Sequence, residues 1–167
     1  YSNLSLCMDD FGRAFSAWRY ASEPAMPGEI HFLSFHVSDA ASDMVPTDDA
    51  VRLDVGLDAT DSSRPILRCN NSGDASVIWQ EQTRPGGGRD LFSAALSVQD
   101  QPVSQIRKLS DDGGSDVSDF DLDLHQSGES WAAWQAARPG GWKIDVATFD
   151  KDRVQVLQLP TALPGVP

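Results

Sequence analysis

Carboxylates in two loop-like stretches are the residues of this sequence best suited to bind a ligand or a metal ion. They are Asp54, Asp58 and Asp61 in the first stretch, and Asp111, Asp112, Asp116 and Asp119 in the second. The second stretch also holds Gly113 and Gly114, and oxygen ligands on a flexible chain suit calcium. It lacks the spacing of an EF-hand and its bidentate Glu. We therefore expect solvated acidic loops, with a weak calcium site formed by Asp111, Asp112 and Asp116 as the alternative.

Two arginines stand in matching Arg-Pro-Gly-Gly sequences, Arg84 and Arg138. Proline and glycine favour turns, so the simplest interpretation is two loops of similar conformation. The alternative is a rim of mixed charge that binds a polar ligand or partner, composed of Arg84, Arg138, Asp58, Asp61, Asp112 and Asp116.

The remaining polar residues do not form a recognisable catalytic motif. His31, His36 and His125 have no His-x-His, Glu-x-x-His or cysteine spacing that would bind a metal ion. No phosphate-binding loop, nucleophile elbow or Ser/His/Asp order appears. The paired carboxylates of a glycoside hydrolase stay open, because their separation depends on the tertiary structure. We expect a protein without catalytic residues or a cofactor; if it is an enzyme, glycoside hydrolysis is the activity to test.

The chain has a net charge of −12, from 25 acidic and 13 basic residues, which limits the kinds of partner it can bind. A strongly negative surface repels phosphate backbones, so we expect no binding to nucleic acid. No apolar run approaches the roughly 18 residues that a membrane span requires, and no signal-peptide pattern opens the sequence. We expect the charge to serve solubility, with a functional acidic face as the alternative.

The elements that position these residues repeat three times along the chain. Each repeat has a glycine, a small residue two positions later and a tryptophan six positions later; the pairs are Gly12 and Trp18, Gly73 and Trp79, and Gly128 and Trp134. Short apolar blocks, bounded by Gly, Pro, Asp and Ser, precede and follow each pair, which is typical of strands. Each repeat therefore predicts four antiparallel strands, with the glycine at positive φ in the first turn and the tryptophan packed between sheets.

The repeated Gly-x-[Ala/Ser]-x-x-x-Trp unit resembles the propeller repeats of bacterial secreted and cell-surface proteins, and more loosely TolB-type repeats. The resemblance covers the whole chain except the tail at residues 160–167. It implies an all-β fold, a β-propeller segment of three four-stranded antiparallel blades at residues 1–57, 58–110 and 111–159. It also implies an extracytoplasmic location: periplasmic, cell-surface or secreted. The repeat does not match the Asp-box of sialidases. In the Asp-box the tryptophan follows the glycine by three residues, whereas here it follows by six.

Three blades leave one apolar face open at each end, and propeller rings typically contain four to eight blades. We therefore expect half of a six- to eight-bladed ring. Another propeller-half chain, a second copy in a homodimer, or the rest of a cleaved precursor would complete it. The first residue, Tyr1, and the proline-rich end favour a partner chain or a cleaved precursor. The predicted function is a non-catalytic protein-interaction scaffold; the alternative is a carbohydrate-active propeller, a lectin or part of a glycosidase.

The two cysteines, Cys7 and Cys69, stand at matching places in neighbouring repeats. A disulfide between blades is one interpretation, and two buried free thiols are the other. The sequence leaves the choice open.

Overall fold

The computed structural model describes residues 2–23, 26–37, 44–46, 50–54, 61–82, 87–97, 105–110, 116–139 and 141–158. Within these ranges the chain forms strands and no helix, which confirms the all-β prediction. The strands are β1 Ser2–Met8, β2 Arg13–Tyr20, β3 Glu29–Val37, β4 Met44–Pro46, β5 Val51–Arg52, β6 Asp61–Cys69, β7 Asp74–Gln82, β8 Arg89–Ser97, β9 Arg107–Lys108, β10 Val117–Leu124, β11 Ser130–Arg138, β12 Gly141–Phe149 and β13 Val154–Gln158. Among the described residues, no helix could cross a membrane.

The strands form three sheets in which every neighbouring pair is antiparallel. The second sheet has the order β6-β7-β8-β9, and the third has the order β10-β11-β12-β13. In the first sheet, β1, β2 and β3 are followed by two short strands, β4 and β5, which both pair with β3 and together fill the fourth position. The sequence predicted four strands per repeat, and it did not predict that β4 and β5 would share the fourth position. Three four-stranded antiparallel sheets, one from each sequence repeat, are therefore present.

Glycine is required in the turn that joins the first two strands of each sheet. Gly12, Gly73 and Gly128 have φ values of 78°, 89° and 86°. A side chain at such φ values is strained, whereas glycine adopts them readily. The three repeats therefore make the same tight turn for the same physical reason.

A second repeated feature lies nine residues before each turn glycine. Asn3, Arg64 and Asp119 have φ values of 54°, 54° and 38°, and each stands where the pairing of the first two strands shifts register. A left-handed conformation costs a residue with a side chain about 1 to 2 kcal/mol, so a β-bulge is built into each first strand despite its cost.

The sheets pack face to face, with one apolar layer on each side of the second sheet. Every residue of β7 from Ala75 to Glu81 is buried, whereas β11 alternates buried and more exposed residues. Trp79 lies in the layer between the first and second sheets, and Trp134 lies in the layer between the second and third. The second sheet is therefore covered on both faces, and the other two are covered on one.

Candidate functional site

Each sheet has two distinct faces, which can be defined from the turn glycine. We call the face with residues three and five positions after the glycine the forward face, and the face with the repeated tryptophan the backward face. In the second sheet, Ile78 of the forward face packs in the layer shared with the third sheet. Trp79 of the backward face packs in the layer shared with the first sheet. Stacking therefore always joins a forward face to the backward face of the next sheet.

Among the described residues, no sheet packs against the backward face of the first sheet. Leu6, Leu67 and Leu122 stand six residues before the turn glycine in the three repeats. Leu67 and Leu122 are 0% and 3% exposed, but Leu6 is 60% exposed. The first sheet thus presents to solvent an apolar position that the other two sheets bury.

The forward face of the third sheet is open in the same way. Ile30, Leu91 and Ile144 are equivalent in the repeat, and the first two are 0% exposed whereas Ile144 is 46% exposed. Trp131 is also 46% exposed, at the position where the first sheet buries Phe15. The molecule therefore ends on two faces with the apolar pattern of its own internal interfaces.

A disulfide joins the first and second sheets. Cys7 of β1 and Cys69 of β6 are bonded, with their Cα atoms 5.9 Å apart. Contrary to the prediction, the two cysteines do not stand at matching places in their repeats but differ by one residue. Cys7 precedes its turn glycine by five positions, and Cys69 precedes its own by four. Successive side chains of a strand point to opposite faces. The offset puts Cys7 on a forward face and Cys69 on a backward face, so they meet.

A buried cluster of two carboxyls and a hydroxyl also lies between the first two sheets. Glu81 is fully buried, and its Oε1 accepts the Trp79 Nε1–H at 2.6 Å. The Ser62 Oγ lies 2.8 Å from Glu81 Oε2 and 2.8 Å from Asp54 Oδ2. The hydroxyl can donate its proton to only one carboxyl, so both contacts are hydrogen bonds only when one carboxyl carries a proton.

The pKa of Glu81 identifies that carboxyl. Burial raises the pKa of Glu81 to about 7, against the lowering effect of the hydrogen bonds from Trp79 and Ser62. Below that pH Glu81 donates to Ser62, and Ser62 donates to Asp54. Asp54 also accepts a hydrogen bond from Arg52 Nε at 2.7 Å. Both carboxyls are buried, and the contacts through Ser62 connect the first sheet to the second.

Of the predicted mixed-charge rim, Asp61, Asp116 and Arg138 lie within the described residues. Asp61 is bound by two guanidiniums, from Arg19 at 3.0 Å and Arg89 at 3.1 Å. Burial opposes ionisation of Asp61, but hydrogen bonds from the Gly28 N–H and Arg19 outweigh it and lower its pKa. This aspartate therefore fixes the first interface, and its ligand-binding role stays a prediction.

The other two described rim residues have different partners from each other, and only Asp116 is linked to Asp61, through Arg89. The Asp116 Oδ1 accepts the backbone N–H of Arg89 at 3.0 Å, and the Arg138 guanidinium pairs with Asp145. Asp58, Arg84, Asp111 and Asp112 lie outside the described residues, and so does most of the predicted calcium site. Among the residues that are described, no three His, Cys, Asp or Glu side chains are grouped to hold a metal ion.

A shallow depression of about 260 Å³ lies on the forward face of the third sheet. Its lining includes Trp131, Asp121, Asp123, Ala133 and Val146. Trp131 is not one of the repeated tryptophans, so the repeat pattern did not predict a role for it. Its parity in the strand relative to Trp134 was the signal that would have placed it on the opposite face.

No model of a known protein family matches this chain, and no curated protein is similar to it in sequence. The strongest functional signal therefore comes from the contrast between the covered and the open sheet faces. The open backward face of the first sheet and the open forward face of the third sheet together form the candidate interaction surfaces.

Proposed function

We propose that this chain is a non-catalytic interaction scaffold, a β-propeller segment whose two open sheet faces stack on further blades of a larger assembly. The observation that carries the proposal is the exposure of repeat positions that are buried at both internal interfaces. A repeat unit that cannot bury both apolar faces alone requires a neighbour on each side. The open faces are therefore surfaces for stacking.

The composition of the open faces supports the same proposal. Leu4, Leu6 and Met8 are 70%, 60% and 62% exposed at the first sheet. At the third sheet, Trp142, two residues before Ile144, is 59% exposed, and Leu157, which pairs with Val146, is 37% exposed. Burial of such a side chain contributes about 1.5 to 3 kcal/mol, and contiguous exposed apolar patches mark interaction sites. Several such side chains on each face can offset the entropy lost on association.

The sheet arrangement favours a propeller over an open stack. Four-stranded antiparallel meanders that stack face to face are the units of propellers, and rings contain about four to eight of them. Three sheets are too few to close a ring. The remaining blades come from a partner propeller half, a second copy of this chain or the rest of a precursor.

The disulfide supports an extracytoplasmic location. Disulfides form and persist in oxidising compartments and are rare in the reducing cytosol. Cys7 and Cys69 are 62 residues apart in the sequence and join two sheets, so the bond constrains the packing of one sheet on the other. We place the protein in the periplasm, at the cell surface or outside the cell.

The mass of the native particle tests the scaffold function. We expect more than one chain per particle at fixed stoichiometry, and we expect Ile144→Lys to release single chains without lowering the melting temperature. Asp152→Lys, in the exposed turn between β12 and β13, is the matched control and should leave the assembly intact. A single-chain particle, unchanged by Ile144→Lys, would contradict the proposal.

The depression at Trp131 favours a second candidate function, binding of a carbohydrate. An exposed indole can stack on the C–H face of a sugar ring, and Asp121 and Asp123 offer acceptors for its hydroxyls. We expect sugar binding on a glycan array to be lost in Trp131→Ala and retained in Trp142→Ala. Failure of the wild type to bind any glycan would remove this candidate.

A further inference from the structure

A side chain seven residues after each turn glycine ties one sheet to the next. Arg19 Nε donates to the Ser62 backbone oxygen at 3.0 Å, and Gln80 Nε2 donates to the Val117 backbone oxygen at 2.5 Å. Both acceptors stand eleven residues before the turn glycine of their own repeat. The two internal interfaces therefore share a hydrogen bond as well as an apolar pattern.

The third member of this series is Gln135, which lies on the open forward face of the third sheet. Its side chain is half-buried and makes no hydrogen bond with another described residue. On the same face, Trp131 and Ile144 stand where the first sheet has Phe15 and Ile30. This face thus carries the donor and the apolar residues that the other forward faces use to hold a backward face.

The open backward face of the first sheet supplies the matching surface. Leu6 is equivalent to Leu67 and Leu122, and Trp18 is equivalent to Trp79 and Trp134. The chain therefore carries at one end the type of face that its other end is built to cover. An interface of this kind is head-to-tail and forms a closed ring when the rotation between copies closes.

We infer that the occupant of both open faces is a second copy of this chain, and that two copies close a six-bladed ring. The inference rests on the scaffold function proposed above. Because each copy brings three sheets, six is the multiple of three that falls within the roughly four to eight blades of known rings. The third sheet of each copy stacks on the first sheet of the other.

The native disulfide provides the design of a direct test. One of its cysteines lies on a forward face, five residues before the turn glycine of its repeat. The other lies on a backward face, four residues before the turn glycine of the following repeat. Between two copies these positions are Asp123 and Met8. The double variant Asp123→Cys/Met8→Cys should therefore form intermolecular disulfides between the introduced cysteines, giving a two-chain mass without reductant and a one-chain mass with it.

Three controls decide the arrangement. Asp123→Cys/Leu4→Cys places one cysteine four residues away on the same face, about 13 Å along the strand, beyond the reach of a disulfide, and should not cross-link. Neither Asp123→Cys nor Met8→Cys should cross-link alone, since each face meets the other type of face. Cross-linking of a single variant, or equal cross-linking of both double variants, would overturn the inference.

The hydrogen bond predicted for Gln135 gives a second readout. Gln135→Ala should weaken dimerisation about three- to tenfold, as expected for one hydrogen bond, and leave the melting temperature of the dissociated chain unchanged. If wild-type chains stay single and the double variant does not cross-link, but Ile144→Lys releases a different co-purifying chain, this inference fails and the scaffold function stands. If Ile144→Lys also has no effect on any assembly, both fail.

Discussion

The two internal interfaces hold equivalent faces together with different chemistry. Between the first and second sheets lie the Cys7–Cys69 disulfide and the Glu81–Ser62–Asp54 cluster. Between the second and third sheets the buried polar contacts include a hydroxyl pair, Ser76 and Ser130, at 2.6 Å, and the bond from Gln80. The stacking itself is the same, so apolar positions, turns and bulges set its geometry. The disulfide and the buried carboxyls strengthen the first interface without defining the stacking, whereas the Arg68–Asp121 ion pair at the second interface is exposed to solvent.

The two buried tryptophans differ in the hydrogen bonding of the indole nitrogen. The Trp79 indole N–H donates to Glu81, two residues further along its own strand. Trp134 has Ala136 at the equivalent position, and its buried indole nitrogen has no hydrogen-bond partner among the described residues. Ring packing is therefore the common requirement at this position, and the polar partner is an addition specific to the first interface.

Among the changes that distinguish the two interfaces, removal of the disulfide is expected to lower the stability of the protein most. For a closed loop of this length, Cys7→Ala/Cys69→Ala should lower the free energy of unfolding by about 4 kcal/mol and the melting temperature by about 10 °C. Calorimetry of the variant, and of the wild type with reductant, should give the same loss. A loss below 1 kcal/mol in both would show that the first interface does not depend on the bond.

The next effect in size is a pH dependence carried by the first interface. The folded-state pKa of Glu81 is raised from 4.5 to about 7, so its contribution to stability is fully present below pH 4.5 and is lost as the pH rises towards 7. The predicted loss is about 3 kcal/mol over that window. Urea unfolding at several pH values checks it. Glu81→Gln should flatten the profile between pH 4.5 and 7, and an unchanged slope in that variant would contradict the assignment.

Substitution of each buried tryptophan by phenylalanine should reveal a smaller difference in stability between the two interfaces. Trp79→Phe leaves the buried Glu81 without its donor, whereas Trp134→Phe removes an indole nitrogen that lacks a partner. We expect Trp79→Phe to be more destabilising by about 1 to 2 kcal/mol, since the loss of ring volume is the same in both. Equal losses in thermal unfolding would mean that the Trp79 hydrogen bond contributes nothing net.

The smallest expected effect concerns the hydroxyl pair of the second interface. Ser76→Ala/Ser130→Ala replaces both partners with small apolar groups, so the change in unfolding free energy should stay within about 1 kcal/mol. Each single variant leaves one buried hydroxyl unpaired and should cost more than the double variant. A double-mutant cycle in denaturant measures this order, and additive losses would contradict it.

Features that depend on local residue type were predictable from the sequence. The repeated spacing of glycine and tryptophan, and the short apolar blocks bounded by Gly, Pro, Asp and Ser, predicted the strands. The bulges were not predictable, because Asn3, Arg64 and Asp119 share no side-chain type. Strand β4 has only three residues, too few for an alternating apolar pattern to be recognised.

Residues whose role depends on contacts between sheets were harder to predict. Glu81 looks like an exposed strand residue until the first sheet covers it. The disulfide depends on a one-residue offset between Cys7 and Cys69 relative to their turn glycines, which the similar composition of the two strands conceals. Trp131 differs from Trp134 in the face it occupies and not in its type.

The mass of the wild-type chain over a dilution series tests the central claim most directly. If the open faces are stacking surfaces, light scattering at micromolar concentration should give a particle larger than one chain, and Ile144→Lys should shift its dissociation to higher concentration. A one-chain mass at every concentration, in the native particle as well as in the purified chain, would contradict the account.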